Sequence, residues 1–400
     1  MTMDAETGID QIAWDRLGHA YGSAADTPEH LRGLLAADLP TRASALIHLW
    51  NSVVHQETLS TAAGPVVAVL AQMLSDPRLD APEPTPLVPV ADAGPGEQSM
   101  RVGLLTYLGH IAAWAAQAQA EPNAVIGVRR DDPELASFDL IWEFADDPEH
   151  VAVGRTGSGC ARRAGVVLPL LVPWLQAADS AERREALHAT ACWAGLAGTD
   201  TPLPPAALAA LHAVARDETA RLATRIDCVL GLAAGTDTSD LLTDGSAVIR
   251  ACAALSPAAS GNPHTLRVIT ETLTSATDCD DLIPDRPPVP FGANMLRIRL
   301  VQAAIRCADS FASLLPVAVS VAATASAGAV DQTWGPLLEA GFPQPRREGQ
   351  PLTDAQRAYL LALAANAALW HGDWRGRDDQ LRRLGLPADQ ASLRSLATDG

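Results

Sequence analysis

The chain has 400 residues, room for two or three domains at about 150 residues each, or for one continuous stack of helical hairpins. With 47 acidic and 29 basic residues its net charge is −18, which argues against nucleic acid, because counterion release needs a concentrated basic surface. All 29 basic residues are arginine, so Schiff-base lysines, phosphate-loop lysines and Ser-x-x-Lys nucleophiles are excluded.

Hydrophobic residues make up 48% of the chain and aromatics only 4%, so the core is built mainly from Ala, Leu and Val, a composition that favours helices over strands. Met1 to Asp10 is acidic and has no apolar h-region, so no secretory signal is expected and the reading is cytoplasmic. Thr27-Pro28-Glu29 reads as a capping hydroxyl and first-turn proline for a helix carrying Leu31, Leu34 and Leu35. A second helix is predicted from about Pro40 to Gln56. Ala43, Leu46, Ile47, Trp50, Val53 and Val54 form its buried stripe, and Ser44, His48, Asn51 and His55 lie on the opposite, polar face.

From Ser75 to Glu97 six prolines forbid regular helix and predict a linker or strap. No β-hairpin is expected, and Ala124 to Val128 reads as one short strand. Asp132-Pro133-Glu134 is predicted to open a helix with Leu135, Phe138 and Trp142 inward. On that helix Asp139, Glu143, Asp146 and Asp147 form a negative ridge suited to a basic partner. Gly154 to Gly159 matches neither a phosphate loop nor a nucleophile elbow and reads as a connector.

Proline-rich breaks at Ile283 to Gly292 and Gly341 to Pro351 complete the punctuation. The expected organisation is an N-terminal helical module (1–75), the proline-rich linker (76–97), central helical repeats (98–282) and a C-terminal helical block (293–400), joined as one solenoid. Leu314 to Val330, diluted by Ser320, Thr324, Ser326 and Gly328 and holding Pro316, is a poor membrane span. Thr353-Asp354-Ala355-Gln356 has capping-box form. The six cysteines lie 24 to 36 residues apart with no Cys-x-x-Cys pair, which excludes zinc-ribbon spacing. Cys192, Cys228, Cys252 and Cys307 read as small core hydrophobes.

A repeat emerges from these elements. Asp38-Leu39-Pro40-Thr41-Arg42, Asp179-Ser180-Ala181-Glu182-Arg183 and Asp217-Glu218-Thr219-Ala220-Arg221 each begin a helix that follows a shorter Leu/Ala-rich one. Aspartate satisfies free amides at the helix start, and arginine one turn on is expected to reach the aspartate of a neighbouring hairpin. The pattern resembles the HEAT repeat, a helical hairpin of about 40 residues. Trp14 to Gly22, Leu49-Trp50 and His55-Gln56 at the start, and Leu352 to Arg357, Leu369-Trp370 and Leu384 to Pro387 at the end, resemble bacterial HEAT-like proteins of no settled activity. The resemblance implies an all-α superhelix of antiparallel hairpins and implies no reaction; residues 235–293 depart from the repeat. HEAT-repeat di-iron hydroxylases use His-Glu pairs, and none of the ten histidines here precedes a glutamate.

The expected function is a non-catalytic, protein- or peptide-binding solenoid that neutralises or regulates a basic partner, as an immunity protein does, with no cofactor and no membrane. The alternative is a metal-dependent enzyme built on His19, His30, His48 and His55, four of the ten histidines within 56 residues. His48 and His55 are about 10.5 Å apart along a helix, too far to share one ion, so His19, Asp26 or His30 would have to complete the site.

Overall fold

The computed structural model describes residues 5–55, 58–82, 98–120, 125–129, 140–143, 150–154, 157–198, 201–275, 279–283, 295–330, 332–372 and 374–399. These form two compact units that divide between Gly235 and Thr236. Eighteen α-helices and seven strands of two to five residues lie within them, so the class is all-α. Among the described residues no helix is long and apolar enough to cross a membrane.

The first unit carries α1 (Ala5–Asp10), α2 (Thr27–Gly33), α3 (Leu39–His48), α4 (Ala63–Met73), α5 (Met100–Ala120), α6 (Gly157–Ala161), α7 (Ala164–Leu171), α8 (Ser180–Ala197), α9 (Pro205–Arg216) and α10 (Leu222–Ala233). Its centre is α8, buried along most of its length and flanked by α5 and α10. Alanine-rich stretches let these helices approach closely, and larger side chains lock them: Trp193 is fully buried and donates its indole N–H to the Leu108 carbonyl at 3.0 Å.

The second unit holds α11 (Ala247–Ala253), α12 (Pro263–Leu273), α13 (Met295–Cys307), α14 (Phe311–Thr324), α15 (Trp334–Gly341), α16 (Asp354–Ala365), α17 (Arg375–Arg383) and α18 (Gln390–Asp399). Its α16 rests against α14 and α18. The Thr353–Gln356 capping box forms in both directions, at 3.2 and 2.9 Å, and the buried Tyr359 hydroxyl donates to the Trp334 carbonyl at 2.8 Å.

The aspartate–arginine device is present in a different wiring from the predicted one. Asp38 caps α3 through the Thr41 amide at 2.9 Å, and Asp179 caps α8 through the Ala181 and Glu182 amides. The arginines turn back to their own hairpin, Arg42 to the Ala36 carbonyl at 3.3 Å and Arg183 to the Ala177 carbonyl at 2.9 Å. Each thereby satisfies a backbone acceptor just beyond the preceding helical segment, where backbone pairing has ended. In the third copy Arg225 donates to the Ala215 carbonyl in the last turn of α9, at 3.1 Å. Within residues 235–293, which lack the Asp-x-x-x-Arg spacing at this point, Arg250 makes a related bond, to the Asp244 carbonyl at 2.7 Å, while the Asp244 side chain accepts from the Ser246 amide.

Val125–Arg129 is a strand, as read for Ala124 to Val128, and the other strands occur where helix or loop was expected. Two antiparallel hairpins pair β1 (Gly18–His19) with β2 (Gly22–Ser23) and β3 (Val54–His55) with β4 (Thr58–Leu59). A small antiparallel sheet has the order β5-β7-β6, from β5 (Val125–Arg129), β6 (Leu140–Glu143) and β7 (His150–Gly154). Over Leu140–Glu143 the helix predicted from Asp132 is replaced by β6, and residues 132–139 lie outside the described residues. Leu140, Ile141 and Trp142 are β-formers that pair with β7, and in a strand neighbouring side chains alternate, so Glu143 does not belong to a ridge at helical spacing. Asp139, Asp146 and Asp147 lie outside the described residues. The predicted connector at Gly154 to Gly159 contains the start of α6.

The helix predicted from Pro40 to Gln56 is also corrected. It stops at His48, continues as a five-residue π turn (Leu49–Val53) and ends in β3. The wider turn breaks the 100° progression, and the buried face of α3 is Arg42, Ala45, Leu46 and His48. Leu46, Val53 and Val54 are buried as predicted, but Ile47 is 49% exposed. On the proposed polar face Ser44 and Asn51 are exposed, His55 is half-buried, and His48 points into the unit.

Candidate functional site

The burial of His48 brings the N-terminal histidines together. The β1–β2 hairpin carries His19 and is pinned from below: the Gly18 amide donates to Thr61 Oγ1 at 2.9 Å, and the Ala20 amide to the Ser52 carbonyl at 2.9 Å. A 3-10 turn, Ala24–Asp26, then leads into α2 and sets Asp26 beside both rings. Thr27, expected as a helix cap, instead places its hydroxyl 3.0 Å from His48 Nε2.

His19 Nε2, the Asp26 carboxylate and His48 Nδ1 converge. The first lies 3.1 Å from Asp26 Oδ1 and the second carboxylate oxygen 4.0 Å from His48 Nδ1. Three donor atoms, one from each residue, fall within 4.8 Å of one another. The two imidazoles are buried, at 6% and 5% side-chain exposure, whereas Asp26 is 53% exposed, so the cluster opens to solvent on its carboxylate side.

Of the four histidines considered from sequence, His19 and His48 belong to this donor set and Asp26 completes it. His30 contributes a ring stacked on His48 at 4.1 Å and 9°. His55 is corrected out of the set: its Nδ1 lies 3.2 Å from the Asn51 carbonyl and 3.4 Å from the exposed Tyr21 hydroxyl.

Protonation is constrained by these partners. Burial, then the neighbouring charge of His30, pulls the His48 pKa down from the ordinary 6.5 to about 4, with Asp26 opposing. His48 is therefore neutral at pH 7, as a ligand must be, and an ion on Nδ1 leaves Nε2–H to donate to Thr27. For His19, the Tyr21 amide donates to Nδ1 at 3.1 Å, which puts the ring proton on Nε2, facing Asp26. An ion on Nε2 displaces that proton, and the Tyr21 amide must then turn from Nδ1. The hairpin turn holds Gly22 at φ 124°, a conformation open to glycine, and Tyr21 is 68% exposed.

One consequence is acid lability of the metal-free protein. The unfolded chain takes up the His48 proton near 6.5 and the folded one only near 4, so stability is complete above 6.5 and declines as pH falls toward 4. The gap corresponds to at most about 3 kcal/mol. Urea midpoints measured in chelator across this range are expected to fall less steeply in His48→Gln; parallel slopes would refute the assignment.

No family model matches the chain. No curated protein matches it either. Among solved structures, the crystal structure of an engineered protein aligns over 93% of this chain and 97% of its own at 14% identity with a TM-score of 0.28, which carries no argument.

Proposed function

We propose that the first unit binds a divalent transition-metal ion at His19, Asp26 and His48 and presents its remaining coordination positions to solvent for metal-dependent chemistry. The carrying observation is the convergence of two buried imidazoles and one carboxylate within 4.8 Å. Two imidazoles with a carboxylate suit zinc, iron or nickel over calcium and magnesium, which prefer oxygen-only sets. Three protein ligands with open positions are the arrangement of catalytic sites, while structural zinc sites close all four. A bound ion polarises a substrate oxygen or lowers the pKa of its water. The chain's own part is to keep His48 neutral, orient it through Thr27 and leave the Asp26 side accessible.

Equilibrium titration of chelator-treated protein with Co²⁺ tests this reading. The expected result is one ion per chain with the visible bands of a site containing nitrogen ligands, displaced by Zn²⁺. Absence of stoichiometric uptake would remove the proposal.

A second reading is a HEAT-like solenoid that docks a protein or peptide, favoured by the recurring aspartate–arginine hairpins and by α3, whose Leu39 and Ile47 are 52% and 49% exposed two turns apart. A partner held by the parent protein and lost in Leu39→Ser/Ile47→Ser, with metal content unchanged, supports it. Equal retention by that double variant argues against it.

A further inference from the structure

A second constellation of reactive side chains lies on α8 and α10, apart from the donor set above. His188 and Cys192 are four residues apart and share one face of α8, with Cys192 Sγ 3.7 Å from His188 Nε2. From α10, Asp227 Oδ2 lies 2.8 Å from His188 Nδ1. Thiol, imidazole and carboxylate are thus in series, the order in which a cysteine nucleophile, its base and an orienting acid are arranged.

Two observations show that this is more than a core contact. Asp227 Oδ1 is buried and makes no hydrogen bond among the described residues, a costly arrangement that a cationic His188 beside the carboxylate offsets. Gly109 of α5 leaves room for the ring, since a Cβ there would stand 2.8 Å from His188 Cδ2. The groups acting on His188 are Cys192 on its own helix, Asp227 from α10 and the His110 ring from α5, centroid 6.4 Å away. Burial disfavours its charge, but the Cys192 sulfur and the Asp227 carboxylate outweigh burial and hold its pKa well above the usual histidine value. Next to it, half-buried Trp50, His110 and Trp114 meet edge to face, with centroids 5.4 to 6.0 Å apart, and offer flat apolar surface.

We propose that Cys192, His188 and Asp227 form a nucleophilic thiol site for small, uncharged, planar carbon electrophiles of the α,β-unsaturated carbonyl class. The one proton shared by Cys192 and His188 rests on His188 Nε2 as the sulfur attacks, and Asp227 steadies that imidazolium. The sulfur then adds to the β-carbon, the C=C π pair moves to the α-carbon, and that carbon takes the proton from His188. One C–S and one C–H bond form, nothing departs, and no oxidant is required.

N-ethylmaleimide, limiting and followed by peptide mapping of the intact chain, tests the site. Among the five cysteines whose exposure the structure describes, exposure alone ranks Cys307 first, because it is half-buried while Cys160, Cys192, Cys228 and Cys252 are buried, and the Cys307 thiol pKa is raised chiefly by burial. The proposal predicts the reverse: at about pH 6, Cys192 is labelled at least about tenfold faster than Cys307. Asp227→Asn, leaving the buried Cys160 and Cys228 of the same unit unlabelled as a control of the fold, is expected to slow Cys192 at least about tenfold. Labelling of Cys307 first, or simultaneous labelling of all the buried cysteines, would overturn the proposal.

Discussion

Asp26→Ala is expected to weaken Co²⁺ or Zn²⁺ binding by at least about 100-fold while leaving the fold intact. Asp26 supplies the one formal negative charge in the three-residue set, and loss of a partner one shell further out already costs about 10–100-fold in comparable sites. Its side chain is 53% exposed, so little packing is lost with it. Thr27→Val removes the acceptor for His48 Nε2–H but no ligand, and an intermediate loss of about tenfold is expected. His30→Ala, which removes a stacked ring and no donor atom, is expected to change affinity less than about threefold. Competition against a chromophoric chelator ranks the three variants. An Asp26→Ala protein that keeps parent affinity would show that the carboxylate is not a ligand, and the metal reading would fall with it.

The helical class follows directly from residue choice, and so do those element starts where the signal is local. Asp38, Asp179 and the Thr353–Gln356 pair each cap the helix that their own neighbours form, so three or four residues suffice to read them. The π turn at Leu49–Val53 defeats that kind of reading. Its wider winding is supported from another helix, where the buried Tyr107 hydroxyl donates to the Leu49 carbonyl at 3.2 Å, 58 residues away. Angular positions counted at 100° per residue therefore put Ile47 inside and His48 outside, the reverse of what tertiary contact imposes.

The same reason explains which parts of the site were legible. Four histidines close together in sequence signal a cluster, and Asp26 is among the residues read as able to close it. The choice of Asp26 and the exclusion of His55 depend on a hairpin pinned by Thr61, 43 residues from Gly18. For the α8 site, the His188–Cys192 spacing is local, whereas Asp227 arrives from 39 residues further along. Read one helix at a time, Cys192 is a small hydrophobe, and it is indeed buried at 3% exposure. Its histidine partner gives it chemistry that burial alone does not.

The α8–α10 contact also sets the sign of a substitution that helix propensity alone would get wrong. In an isolated helix Gly→Ala stabilises by roughly 1 kcal/mol, because alanine loses less backbone freedom on folding. At Gly231 of α10 a Cβ would stand 2.7 Å from the Cα of Ala191 and 2.9 Å from its carbonyl oxygen. Carbon–carbon contact requires about 3.5–4.0 Å, so the helices must part by roughly 1 Å, and the obstructing atoms are backbone that no rotamer change can move. Overpacking of this kind costs about 1–3 kcal/mol and here parts α10 from α8, which is buried along most of its length. Gly231→Ala is therefore expected to destabilise by about 1 kcal/mol net and to lower the melting temperature by roughly 2–4 °C. Gly195 on α8 is the matched control, since a Cβ there meets nothing within 4 Å. Gly195→Ala is expected to stabilise by about 0.5–1 kcal/mol. Calorimetry of the two variants reads opposite shifts from one chemical change; shifts of the same sign would mean that α8 and α10 are not in the close contact on which the thiol site also depends.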